Sequence, residues 1–113
     1  MTEVRREARP VTPGEALRED ILDGLGVTQD RLASAMRVSR LTVNEILNAK
    51  RALTAEMALR LSHVLGTDPD YWLNLQRDLD LFRARGKLAD ELESLEIIRQ
   101  SVGRDDVLRR SLG

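Results

Sequence analysis

Helix-start signals recur at short intervals along this chain, and they restrict it to a bundle of short helices. Thr12-Pro13-Gly14-Glu15 is the clearest: Thr12 can cap, proline suits the first helical position, and Glu15 can close a capping box. Thr28, Ser39 and Thr54 each precede a stretch of helical periodicity, and Asp68-Pro69 repeats the order of cap then proline. The inward stripes read as Leu17, Ile21 and Leu22; Leu32, Ala33 and Met36; Val43, Ile46 and Leu47; Met57, Ala58, Leu61 and Leu65; and Trp72, Leu75, Leu79 and Phe82. Gly24 and Gly26 are expected to end the first helix, Gly66 the fourth and Gly86 the fifth. No stretch alternates with period two, so the class is all-α, with five helices in residues 12–86.

Flanking regions carry weaker signals. Residues 1–11, with Arg5, Arg6 and Arg9 and few apolar residues, read as a flexible N-terminal arm. Residues 87–113 read as an additional C-terminal amphipathic helix, with Leu88, Leu92, Leu95 and Val102 as its stripe, and a frayed tail from Gly103. That stripe needs a partner, and dimer contacts through Leu88, Leu92 and Leu95 are one use for it.

A chain of 113 residues suits a single modest core. Aromatic content is 3%, so Leu, Val, Ile, Met and Ala must build that core, which again favours helices. There is no cysteine, hence no disulfide and no thiolate chemistry or thiolate metal site. Apolar runs stay at three residues or fewer, leaving neither a transmembrane segment nor a secretory signal, so a cytoplasmic protein is expected. The net charge of −1 argues against nucleic acid as a partner, but its distribution does not. Residues 28–51 hold Arg31, Arg37, Arg40, Lys50 and Arg51 against Asp30 and Glu45; residues 12–25 hold Arg18 against Glu15, Glu19, Asp20 and Asp23. A basic face beside an acidic one can bind phosphates on a near-neutral molecule.

The second and third helices, joined by a tight turn, form a helix-turn-helix. At 100° per residue, Val43, Ile46 and Leu47 share the inward face of the third helix, and Leu41, Asn44, Glu45 and Asn48 lie opposite, flanked by Arg40 and Thr42. Such a helix enters a DNA major groove end-first, with its outward face toward the bases. Arg40 is suited to a bidentate pair with guanine, Asn44 to adenine, and Leu41 to a thymine methyl. Arg40, Leu41, Thr42, Asn44 and Glu45 are therefore the expected base-facing residues. Gln29, Ser39, Asn48, Lys50 and Arg51 are the expected phosphate contacts, Gln29 aided by the free N–H groups of its helix terminus. Without a partner duplex the same residues would be two solvated amphipathic helices.

These residues resemble the Cro/C1-type (XRE) helix-turn-helix family, and more narrowly the HigA-type antitoxins. The resemblance rests on Pro13 to Glu19, Gly26-Val27-Thr28-Gln29, Asn44 to Thr54, Ala58-Leu59-Arg60-Leu61, and Asp68 to Gln76. It implies a homodimer that binds a palindromic operator in double-stranded DNA at its own promoter and represses it. It also implies a protein partner, a HigB/RelE-like ribonuclease toxin held inactive, and no cofactor. Two positions depart from the family pattern. Arg37 stands where the turn usually has glycine, and Ala49 stands where the loop after the third helix has another. A left-handed backbone at either costs about 1–2 kcal/mol. A slightly altered turn is expected at Arg37, with its side chain adding a phosphate contact, and Asn48 is expected to take the left-handed conformation in place of Ala49.

No catalytic constellation is found, so an enzyme is not expected. His63 is the sole histidine and is expected to be a partly buried structural residue; no metal site is expected. Asp78 and Asp80 are two apart on a helix and do not face each other. Trp72 reads as core, and Tyr71 as surface at the domain edge. Two other readings stay open: a stand-alone XRE transcriptional regulator without a toxin, and an interaction protein that has lost DNA binding, suggested by the low net charge and by Glu45.

Overall fold

The structure is a computed structural model, and it describes residues 8–99. Helix α1 (Pro13–Leu17) runs without a break into a π-helical segment, Arg18–Asp23. Then follow α2 (Gln29–Met36), α3 (Arg40–Leu47), α4 (Ala55–Leu65) and α5 (Pro69–Ser94). There is no strand among the described residues, and the five-helix, all-α expectation is met.

Local chemistry sets each start. The Thr12 hydroxyl accepts from the Glu15 N–H at 3.0 Å while the Glu15 carboxylate accepts from the Thr12 N–H at 3.0 Å, the full reciprocal box. Thr28, Ser39, Thr54 and Asp68 cap the next helices in the same way, each side chain accepting from an N–H two or three residues on. At the other end, Gly26 (φ 70°) and Gly66 (φ 69°) are left-handed and stop their helices. Gly24 stays helical, so Gly26 alone terminates the first helix.

Helix α1 lies against α3 and α5, α2 against α3 and α4, and α4 against α5. Leu17, Leu32, Val43, Leu61 and Trp72 are the largest fully buried side chains. The Trp72 indole N–H donates to the Thr67 hydroxyl at 2.8 Å, giving the buried ring its polar partner. Tyr71 meets that ring edge-on and is 44% exposed, at the surface as expected.

Several expectations are corrected. Gly86 does not close α5, which continues to Ser94, so residues 87–94 extend the fifth helix instead of forming an additional one. A glycine costs about 1 kcal/mol inside a helix, and the strong helix formers around it (Arg83, Ala84, Arg85, Lys87, Leu88, Ala89) outweigh that. The helix ends before Leu95, where the Ser94 hydroxyl donates to the Glu91 carbonyl at 2.8 Å and competes with the helical ladder. Val102 and the tail from Gly103 lie outside the described residues, as do Arg5 and Arg6. Arg9, within the expected arm, is held by a two-pronged contact with the Glu15 carboxylate. His63 is exposed on α4 instead of partly buried.

Candidate nucleic-acid interface

The helix-turn-helix is assembled by backbone contacts that side-chain periodicity does not reveal. Gly14 lies so close to the C-terminal turn of α3 that an added Cβ would sit 2.4 Å from the carbonyl oxygens of both Ile46 and Leu47. Only glycine lets α1 cross α3 at that distance. From the other side, Val43, Ile46 and Leu47 are 1–4% exposed. Behind the following loop, the buried Gln76 amide accepts from the Leu53 N–H at 2.8 Å and donates to Asp80 at 2.9 Å. Thus α3 is fixed at its back and at its C-terminal end.

The turn between α2 and α3 is a left-handed cap. Arg37 has φ 60° and ψ 46°, and the Val38 N–H donates to the Ala33 carbonyl at 3.1 Å, the long bond of a Schellman motif. The expected alteration of the turn is not found: arginine adopts the conformation glycine usually takes. Arg60 of α4 supports it by donating to the Met36 carbonyl at 2.9 Å. The loop after α3 repeats the device. Ala49 (φ 56°), not Asn48 (φ −100°), is left-handed, and the Lys50 N–H donates to the Glu45 carbonyl at 2.8 Å. Asn48 stays near the helix because its amide donates to the Asn44 carbonyl at 2.9 Å and to the Asn44 side chain at 3.2 Å.

What remains outward is an open polar face. Leu41 is 63% exposed, and Arg40, Asn44 and Asn48 are exposed around it, with Thr42 and Glu45 half-buried. Gln29 of α2 reaches into this face, its side-chain oxygen accepting from Asn44 Nδ2 at 3.4 Å. Arg40 Nη1 lies 3.4 Å from the Asp30 carboxylate, also on α2. At the far end Arg51 holds Glu45 with two donors, at 2.8 and 3.0 Å, so these two expected contacts form one unit. Ser39 spends its hydroxyl on the cap, accepting from the Thr42 N–H at 3.0 Å. Lys50 is exposed beside the loop, and Arg83 of α5 borders the same cleft as Lys50 and Arg51.

Most of the expected DNA-facing residues therefore share the outward face of α2 and α3, with Arg51 tied to it through Glu45, while Lys50 borders a cleft between the C-terminal end of α3 and α5. Sequence reasoning missed Gly14, Gln76 and Arg60, which position that surface, and Asp30, which pairs with Arg40 on it. The Pro13-Gly14 pair was visible as a helix start, but nothing in the pattern marked its contact with α3.

A surface of this kind presents hydrogen-bonding and apolar groups to base edges, with cations at its margin for phosphates. A family model described as helix-turn-helix matches residues 17–72. Antitoxin HigA-1 of Vibrio cholerae serotype O1 is 39% identical over 87 residues, covering 77% of this chain and 82% of that protein. This chain belongs to the HigA-type antitoxins of the XRE helix-turn-helix family. A solved structure of Pseudomonas aeruginosa antitoxin HigA with the higBA promoter superposes on this HigA-type fold with a TM-score of 0.75 at 34% identity, covering 80% of this chain and 99% of that one. Antitoxin GraA in complex with its operator gives a TM-score of 0.74 at 42% identity, covering 80% and 93%. The chain is thus a HigA-like DNA-binding regulator. Among the described residues no helix is long and apolar enough to cross a membrane.

Proposed function

We propose that this HigA-type protein binds a palindromic operator at its own promoter as a homodimer, represses its operon, and holds a HigB/RelE-like ribonuclease toxin inactive. The observation that carries the reading is the open outward face of α3, with Leu41 63% exposed between Arg40 and Asn44, on a helix whose back is buried. Base-facing roles fall to Arg40, Leu41, Thr42, Asn44 and Glu45, and phosphate roles to Gln29, Ser39, Asn48, Lys50 and Arg51. Arg37, exposed in its left-handed turn, adds a further cation near the duplex. Two structural relatives are described with a promoter or an operator, which supports the DNA part; the name of the Vibrio relative supports the antitoxin part. Dimer formation uses the exposed leucines Leu88 and Leu92 of distal α5 and Leu95 just beyond its end. One α3 per subunit enters successive major grooves, with half-sites about 34–36 Å apart or a multiple of that. Repression places the protein with its DNA, in the cytoplasm.

A mobility-shift titration of the purified protein on its promoter fragment, at two salt concentrations and against a random duplex, tests the DNA reading. Preferential, salt-dependent binding is expected; equal affinity for both duplexes overturns it. Co-expression with the neighbouring short reading frame tests the other half: growth arrest by the neighbour alone, relieved by this protein, is expected. A second reading is favoured by a relative from Escherichia coli strain K12, 36% identical over 98 residues and covering 85% of this chain and 87% of that protein. It is named an uncharacterized HTH-type transcriptional regulator, YbaQ. Under that reading the protein is a stand-alone XRE regulator, and a neighbour without toxicity selects it.

A further inference from the structure

Arg40 does not stand alone on the outward face. Its Nη1 lies 3.4 Å from Oδ1 and 3.5 Å from Oδ2 of Asp30, across the turn and ten residues earlier. Asp30 belongs to the first turn of α2, and Arg40 opens α3, so both sit at the N-terminal ends of their helices. The side chains are 71% and 65% exposed, and water screens such a pair, so it does little to hold the fold together. A negative charge at this place also works against DNA affinity, since phosphates gather at helix N-termini. The dipole of α2 favours a carboxylate in its first turn, but that role places no demand on Arg40.

We propose that Asp30 is a positioning residue that orients Arg40 toward guanine and so sets the sequence specificity of α3. The proposal rests on the reading of α3 as the base-reading helix. A free arginine swings on a long side chain and pairs as readily with a phosphate as with a base; phosphate contacts carry no sequence information. A guanidinium has five donors in a rigid planar fork. With Nη1 near Asp30, fewer arrangements are open to the guanidinium, and its other donors stay available for guanine O6 and N7, which accept a bidentate pair. Asp30 meanwhile repels phosphates that would draw Arg40 aside. Affinity for every duplex falls, and discrimination between duplexes rises, because the wrong site loses more than the right one. The pair at the other end of α3 differs: Arg51 gives two donors to Glu45 at 2.8 and 3.0 Å, which keeps its fork off a base.

The test compares wild type, Asp30→Ala, Asp30→Asn, Arg40→Ala and the Asp30→Ala/Arg40→Ala double variant. Each is titrated on the promoter fragment, on a random duplex, and on promoter fragments in which each half-site guanine in turn is replaced by 7-deazaguanine, which lacks N7. In wild type, one replacement is expected to lower affinity about tenfold, and Arg40→Ala removes that penalty. In both Asp30 variants the penalty shrinks to about twofold while affinity for the random duplex rises about threefold. In the double variant, base dependence equals that of Arg40→Ala alone. An undiminished guanine penalty in the Asp30 variants overturns the proposal, whatever happens to their melting temperature, because a role confined to capping α2 leaves base preference intact. Failure of wild type to prefer the promoter fragment at all is a different result, and it removes the DNA reading beneath.

Discussion

The two halves of α5 share one continuous helix and almost nothing else. In the first half, Trp72, Gln76 and Leu79 are buried against α1, α4 and the loop after α3. Beyond Phe82 every described residue is exposed, including Leu88 at 38%, Leu92 at 47% and Leu95 at 55%. Packing accounts for the first half; helix propensity and continuation from a packed end account for the second. A helix that outruns its own core offers its apolar stripe to something else.

The sharpest way to break this contrast is a pair of truncations. Leu79→Ala should lower stability by about 2–5 kcal/mol, because it empties a packed site. Leu88→Ala should change unfolding of the isolated subunit by less than about 0.5 kcal/mol, as at a surface position. It should instead weaken self-association in sedimentation equilibrium. Equal losses in chemical denaturation would mean that the distal half packs as well.

Two helical glycines sharpen the comparison further. Gly14→Ala should cost about 3 kcal/mol, since the carbonyls of Ile46 and Leu47 are main-chain atoms and cannot step aside. Gly86 has nothing within 4 Å of an added Cβ, so Gly86→Ala should raise stability by about 1 kcal/mol and the helical signal in circular dichroism with it. Ala49→Gly belongs with the second case: it relieves a left-handed alanine and should gain about 1 kcal/mol in a denaturant melt. Loss of stability there would mean the loop does not hold φ 56° in solution.

The smallest effect concerns the Arg9 contact. The Glu15 carboxyl is held down to about 2, mainly by the hydrogen bonds from the Arg9 side chain and next by the Thr12 backbone N–H. A depressed folded-state pKa stabilises above the unfolded value near 4.5, and that contribution fades as pH falls from there toward 2. Both groups face water, so the effect is modest. Arg9→Ala should move the Glu15 carboxyl titration, followed by NMR, upward from about 2. A titration that stays in place would remove Arg9 as its cause.

How much of this could be read from the sequence followed the range of the interactions. Caps act within three residues, so Thr12, Thr28, Ser39, Thr54 and Asp68 were legible, and the buried stripes followed from periodicity. The outward face of α3 was legible for the same reason. What escaped was set across the fold: the contact of Gly14 with Ile46 and Leu47, the Gln76 bridge to Leu53, and the pairing of Arg40 with Asp30. The π-helical segment after Leu17 was invisible because its residues keep an ordinary helical stripe. Gly86 misled because a glycine inside a helix and one that ends it look alike without their neighbours.

The meeting of α1 with α3 is main chain against main chain, so the seat of α3 does not depend on the side chains of its outward face. Exchanges at Arg40, Leu41 or Asn44 leave that seat untouched, so under the proposed role of this face altering three side chains would retarget the protein on one scaffold. Variation at Gly14 is the step such divergence could not take.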